Sequence, residues 1–402
     1  MSLNMSKNMM LTKEAGKALG DMLKANSVLK ELDVSSNYDY NAGSTDGAGF
    51  ASGIADGICA NGALTSLNIS KNGLLNKQAG KVLRDILKAN SVLKELDVSK
   101  SGEGMYDRDK DAPGFAKEVA AGVSTNGALE KLLMADNNIA TKEAGEALGQ
   151  ALAHNSVLKE LDLSNNNEDY SFNDGPGFAK GVADGLSTNG ALTSLNIGNN
   201  NIPVENMNEI IAIVEAKPAM KVLCAVPFRN KTITELDVSS QSLGVEGALV
   251  IRRYLKNNGA MTKLIFGGDK VNPWDDEAPE PAVLEVGMTE ADLSNKGLKA
   301  GGAIIVGAWI SHKDNGAMET VNVMGNKIGK EQLSKLQEMM QAHPTLVSLC
   351  GIADEATEAD LSGLGMDADD AVILADELPT KGALVSVNIL KNKVGIDQAN
   401  IL

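Results

Sequence analysis

The sequence predicts an α/β solenoid, on three observations. A pattern Leu-x-x-Leu-x-Leu-x-x-Asn recurs along the whole chain. Each copy alternates apolar and polar residues as a strand requires, and is followed by a segment with helical apolar spacing. Spacings between copies cluster tightly enough that the chain reads as one supersecondary unit stacked many times.

The clearest copies begin at Leu29, Leu64, Leu158 and Leu192. Degenerate copies begin at Leu93, Leu129, Met220, Ile233, Met261, Met288, Met318, Leu346, Ala356 and Leu384. Within the copy at Leu29, Leu32 and Val34 point to one face, while Glu31, Asp33 and Ser35 point to the other. Helices follow: Thr12-Lys-Glu-Ala and Thr141-Lys-Glu-Ala each open one with a capping Thr and an early acid. Ala79, Val82, Leu83, Ile86 and Leu87 form the apolar stripe of another. A strand and a helix in every unit predict a parallel sheet on one side and helices on the other. Helices are wider than the strand spacing of roughly 4.8 Å, so the expected shape is a horseshoe with the sheet inside.

With these residues in view, the chain resembles the ribonuclease-inhibitor-like class of leucine-rich repeat proteins. The motif and the 28–29-residue period carry the resemblance, in the spacings 64→93, 129→158, 192→220, 233→261 and 318→346. It implies a horseshoe with an inner parallel sheet and outer helices, and an Asn ladder filled by Asn37, Asn72, Asn137, Asn166, Asn200, Asn326 and Asn392. The class contains protein inhibitors, ligand domains of innate sensors and a GTPase-activating protein, so it does not by itself select a function.

Composition narrows the function. The 402 residues carry a net charge of -16, which argues against a nucleic-acid backbone or an anionic membrane; it permits a basic protein as a partner, and it also simply keeps a long solenoid in solution. Three cysteines, with no Cys-x-x-Cys pair, make no disulfide framework. Neither a signal-type apolar run nor a stretch approaching the ~20 residues of a membrane span is present. A soluble, reducing, cytoplasmic setting is the expectation. A single solenoid over 1–402 is expected, with sub-blocks 1–225, 226–350 and 351–402. The joints are two places where strand starts lie only 13 and 10 residues apart, leaving no room for a helix. Both carry a similar signature, Leu223-Cys224-Ala225 and Leu349-Cys350-Gly351, whose cysteines are read as inward packing residues. The ends look uncapped, so the terminal repeats are expected to dock on another subunit of a larger complex or to have been cut from a longer protein.

The alternate repeats at Leu29, Leu93 and Leu158 are longer, giving a super-repeat of about 65 residues. Their additional residues form loops between strand and helix that hold Tyr38, Tyr40, Tyr106, Tyr170 and Phe172 among acids such as Asp46, Asp111 and Asp174. Trp274 stands in a similar acidic loop of the Met261 repeat. Rigid aromatics in polar loops on one rim read as a contact surface by composition, against the alternative that the Tyr rings fold back over their own loops and the acids are merely solvated. A second candidate is the central column of the sheet face: Asp33, Asn68, Asp97, Leu133, Asp162, Asn196, Cys224, Asp237 and onward to Asn388, flanked by Glu31, Glu95, Glu160 and Glu235. The column steers a basic partner, or is simply how this repeat is written.

Asp107, Asp109 and Asp111, with Glu118 eleven residues after the first, match several ligand positions of a calcium loop. Ala112 stands where that loop requires Gly, so the three acids are a weak calcium candidate and no dedicated metal site is expected, while looser divalent binding by the acidic rim stays open. No nucleophile, phosphate-loop or dinucleotide motif appears, and His154, His312 and His343 stand apart near helix ends. Glycines of Asn-Gly-Ala turns such as Asn61-Gly62-Ala63 are read as C-caps. The reading is a non-enzymatic interaction scaffold without cofactor. Its alternatives are regulation of a small GTPase, by class resemblance, and an architectural subunit.

Overall fold

The computed structural model describes residues 1–38, 46–103, 105, 110–167, 173–241, 243–268, 279–312 and 315–395. The chain divides into two compact units, Met1–Cys224 and Ala225–Leu402.

The first unit alternates strand and helix without exception among its described residues. The order is β1 (Ser2–Asn4), α1 (Lys13–Ala25), β2 (Glu31–Asp33), α2 (Gly47–Ala60), β3 (Ser66–Asn68), α3 (Lys77–Ala89), β4 (Glu95–Asp97) and α4 (Ala112–Val123). It continues β5 (Lys131–Leu133), α5 (Lys142–His154), β6 (Glu160–Asp162), α6 (Gly175–Thr188), β7 (Ser194–Asn196), α7 (Val204–Ala216) and β8 (Val222–Leu223). The strands form one eight-stranded sheet in chain order, and each paired step is parallel. Leu32 and Val34 are buried while Glu31 is exposed, as the alternation required. Thr12 and Thr141 cap α1 and α5 by accepting from the Ala15 and Ala144 N–H. In α3, Ala79, Leu83, Ile86 and Leu87 are buried and Val82 lies at the half-buried margin of the stripe.

Glycine sets how closely the helices pair. A Cβ on Gly149 of α5 would land on the Gly181 carbonyl oxygen of α6, and one on Gly185 would land on that of Gly149. Gly20 of α1 meets Gly53 and Gly57 of α2 in the same way. Each helical Gly costs up to about 1 kcal/mol in propensity; backbone-to-backbone packing offsets that cost at these two pairs.

The unit ends where the chain turns through Cys224 (φ 47) and Ala225 (φ 62), both non-glycine residues in the left-handed region. No helix follows. The second unit contains β9 (Glu235–Val238), α8 (Gly244–Asn257), β10 (Lys263–Phe266), β11 (Ala282–Glu285), β12 (Glu290–Asp292) and α9 (Lys299–Ile310). Then come β13 (Thr320–Asn322), α10 (Lys330–Ala342), β14 (Glu358–Asp360), α11 (Ala368–Glu377) and β15 (Ser386–Asn388).

Here the expectation of a helix after every strand is corrected. β10 is followed among the described residues by β11, which pairs with it antiparallel. β11 takes the edge of β10 that the next repeat's strand would otherwise occupy, so the sheet β11-β10-β9 stops there. β12-β13 and β14-β15 are separate parallel pairs. At the second joint, Ser348 and Cys350 make only isolated bridges to Thr320 and Asn322.

Candidate interaction surface

In the first unit the sheet register brings one side chain per strand into a row: Asn4, Asp33, Asn68, Asp97, Leu133, Asp162, Asn196. Three predicted residues, Asp33, Asp97 and Asp162, therefore stand on alternate strands, roughly 10 Å apart at ordinary strand spacing. The fourth, Asp237, is exposed on β9 and pairs in register with Ile265. The row predicted to run to Asn388 is thus continuous only from Asn4 to Asn196 and is divided into short ladders in the second unit. Cys224 and Cys350 do not belong to the exposed face, because both are 1% exposed and packed inward.

Each Asp of the row has a local structural duty. Its Oδ1 accepts the N–H two residues on: Ser35 at 2.9 Å for Asp33, Ser99 at 2.8 Å for Asp97, Ser164 at 2.9 Å for Asp162 and Ser239 at 2.9 Å for Asp237. Asn68 does the same for Ser70. This turn explains why Asp and Asn interchange along the row, since both offer the oxygen. The Ser239 hydroxyl and N–H together hold the Asp237 carboxyl below its usual range. Alongside, Lys94 and Lys159 both donate to Glu130, at 3.0 and 2.5 Å, and hold its carboxyl low, and Lys131 pairs with Glu160 at 3.4 Å. The face is therefore a mixture of charges with an acidic row, and Leu133 at its middle.

Of the predicted rim, Tyr38 is half-buried and directly follows the ladder residue Asn37. Tyr40, Tyr106, Tyr170, Phe172 and Trp274 lie outside the described residues, as do Asp107 and Asp109. Three of the rim acids are helix caps: Asp46, Asp111 and Asp174 accept from the N–H of Gly49, Gly114 and Gly177 at 2.7, 2.8 and 2.8 Å. Glu118, read as the far ligand of a calcium loop, sits on α4 and pairs with Arg84. Among the described residues no group of three or more His, Cys, Asp or Glu side chains is placed to hold a metal ion, and no helix is long and apolar enough to cross a membrane.

The Asn ladder forms as the repeat implied. Asn37, Asn72, Asn137, Asn166 and Asn200 are at most 1% exposed. Asn166 Nδ2 donates to the carbonyls of Met134 and Leu163, and its Oδ1 accepts the Asn137 N–H at 2.7 Å. Ser101 substitutes in the one repeat that lacks Asn in this unit, donating to the Val98 carbonyl at 2.5 Å.

A second ladder was missed. Asn61, Asn90, Asn126, Asn155 and Asn189 close the helices, each donating to a carbonyl of the preceding repeat: Leu23, Ile58, Leu87, Val123 and Leu152. Their Oδ1 atoms accept the N–H groups that start the next strand segment, such as Leu64 at 2.7 Å and Leu192 at 2.8 Å. The C-cap role given to the glycines of these turns is therefore corrected. Gly62 and Gly190 have no positive φ and nothing near their Cβ positions, and the Asn before each does the capping. The signal was present: an Asn stands three residues before each opening Leu.

The sequence matches no family model and no curated protein. Among solved structures the chain is similar to the leucine-rich repeat-containing protein LegL7 from Legionella pneumophila, at 14% identity over 100% of this chain and 96% of that one, with a TM-score of 0.36. An internalin from Listeria monocytogenes is similar at 12% identity over 91% and 76%, with a TM-score of 0.31. The actin-binding site 2 of leiomodin-1 is similar at 18% identity over 40% and 85%, with a TM-score of 0.33. On its own repeat, parallel sheet and Asn ladders, the chain has the fold of a leucine-rich repeat α/β solenoid.

Proposed function

We propose that the chain is a non-enzymatic protein-interaction scaffold that takes a basic protein partner. The contact surface of the first unit is the sheet face with Asp33, Asp97 and Asp162 and the rim residues Tyr38, Tyr40, Tyr106, Tyr170 and Phe172; in the second unit Asp237 and Trp274 are the contact residues. One observation carries this reading: the register holds three carboxylates of the first unit in one solvent-reaching row at regular spacing, with their Oδ1 atoms fixed by backbone N–H groups. Fixed side chains lose little entropy when a partner docks, and an acidic row steers a cationic one.

The test is affinity capture with wild type, with a Tyr38, Tyr40, Tyr106 and Tyr170 to Ala variant, and with an Asp33, Asp97 and Asp162 to Asn variant. Asn keeps the turn-forming oxygen, so the second variant removes the charges with the turns intact, at the cost of one exposed bond from Asn4 to Asp33. Each is run with and without calcium. Loss of a captured protein from both variants, with weaker wild-type capture at high salt, supports the reading. Identical capture by all three sinks it.

A further inference from the structure

The joint around Leu349-Cys350-Gly351 is held by buried ionisable side chains, where the repeats of the first unit use buried Asn ladders. Helix α11 carries Asp370 and Glu377, and Lys381 caps the 3-10 turn Leu378–Thr380 that continues it; the three are 2%, 3% and 4% exposed. Asp370 Oδ2 accepts the Gly325 N–H at 3.1 Å, in the turn between β13 and α10, and the Asp367 N–H of its own capping box at 3.1 Å. Glu377 accepts from the Ser348 hydroxyl at 2.6 Å and the Leu349 N–H at 2.7 Å. Lys381 Nζ donates to the Val347 carbonyl at 2.9 Å and to Asp354 at 2.8 Å. These bonds satisfy the backbone of a segment that has neither a helix nor a full strand ladder of its own.

The ionisable groups are not balanced alike. Glu377 has Lys381 one turn on, and Lys381 has Asp354. Burial most strongly disfavours the ionised Asp370; the N–H groups of Asp367 and Gly325 favour it, and the flanking charges of Asp367 and Asp369 add to the cost. From the β13–α10 turn it meets the Gly325 N–H, and from the joint it faces the Cys350 thiol, which burial pushes well above its ordinary value. A protonated Asp370 can keep Oδ2 as the acceptor for both N–H groups and carry its proton on Oδ1.

We propose that α11 is a proton-dependent clasp: with Asp370 protonated it holds the terminal repeat β14-α11-β15 against the β13–α10 turn, and with Asp370 ionised that contact opens. Burial, the largest cause, raises the Asp370 carboxyl from 3.8 to about 6. The clasped state binds the proton more tightly than the open one. Its stability is therefore greatest below 3.8, falls as pH rises through the window up to about 6, and is level above it. Opening uncovers Leu374 on the inner face of α11 and Leu349, both fully buried in the clasped form.

Hydrogen exchange of the full chain from pH 4 to 7, corrected for intrinsic rate, tests the clasp. Protection of amides around Gly325 and along α11 should fall by up to about 100-fold relative to the first unit, the equivalent of about two pH units of differential proton binding. Asp370→Asn keeps an acceptor oxygen and cannot ionise, so its profile should be clearly shallower than that of wild type, the remaining slope coming from Glu377, whose carboxyl burial also raises. A flat wild-type profile, or an Asp370→Asn profile as steep as wild type, overturns the proposal. Because the variant could perturb folding, the wild-type Asp370 carboxyl is also titrated by carbon NMR. A midpoint near 6 supports the clasp, and one near the ordinary value of 3.8 overturns it.

Discussion

Arg84 on α3 donates to the Glu118 carboxylate on α4 at 2.5 Å, at the positions where the sister helix pairs bring two glycines together. Counted from the helix caps, Arg84 stands where α1 and α5 have Gly20 and Gly149, and Glu118 where α2 and α6 have Gly53 and Gly181. A side chain on either helix alone would leave a buried flank unfilled or a charge unpaired, so the two differences from the sister pairs compensate each other. Both side chains are largely shielded, at 27% and 14% exposure, so the pair is screened less than a surface one. Arg84→Ala and Glu118→Ala should each destabilise the chain by about 1 kcal/mol. A double-mutant cycle in urea should show a coupling of similar size. Additive single effects would remove the compensation argument.

Glycine substitutions should divide sharply by location. Gly149→Ala places a methyl on the Gly181 carbonyl oxygen and should cost about 2–3 kcal/mol in thermal denaturation. Gly190→Ala meets nothing within 4 Å and has no positive φ, so it should be neutral or stabilising by up to about 1 kcal/mol.

Removing a ladder residue should be costly because its partners are buried backbone groups. Asn166→Ala orphans the Asn137 N–H and takes one of two donors from the Met134 and Leu163 carbonyls, which keep Asn137 and Asn200. A loss of about 2 kcal/mol is expected from equilibrium unfolding.

Ala225 lies at φ 62, a conformation that disfavours any Cβ. Ala225→Gly should stabilise the chain by about 0.5–1 kcal/mol, read as a shift in urea midpoint, whereas Gly at an ordinary helical position would do the reverse.

Ser239→Ala should move the Asp237 carboxyl back up towards its ordinary value of 3.8, because the Ser239 hydroxyl is the first cause of its depression. The stabilisation linked to Asp237 is present above that ordinary value and is lost as pH falls through the lower folded one. An NMR titration of the carboxyl in both chains decides it.

The strand–helix alternation and the first Asn ladder were legible because each rests on a local pattern that needs only the neighbouring copy to complete it. Leu32, Val34 and Asn37 show this: their faces follow from their spacing alone. The turn made by Asp33 with Ser35 was hidden inside the motif, since an acid at an exposed strand position reads equally as a binding group. The antiparallel β11 was not legible either, because alternation in Ala282–Glu285 carries no strand direction. Asn61 and Asn189 were overlooked beside their glycines: Asn-Gly reads as a glycine turn until the preceding helix supplies the carbonyl that the amide bonds. Tyr38 is the one predicted rim aromatic among the described residues.

The glycine-matched pairs α1–α2 and α5–α6 bear on how such a chain can lengthen or shorten through recombination. Excising residues 64–128 removes two repeats and leaves α2 facing α5, a junction of the same parity as α2–α3 and α4–α5. Excising a single repeat, residues 64–92, would set α2 against α4, two helices whose mating faces are both built for an odd-numbered neighbour. Viable length variants of the first unit should accordingly differ by two repeats, so that the inheritable quantum is the helix pair and not the single motif.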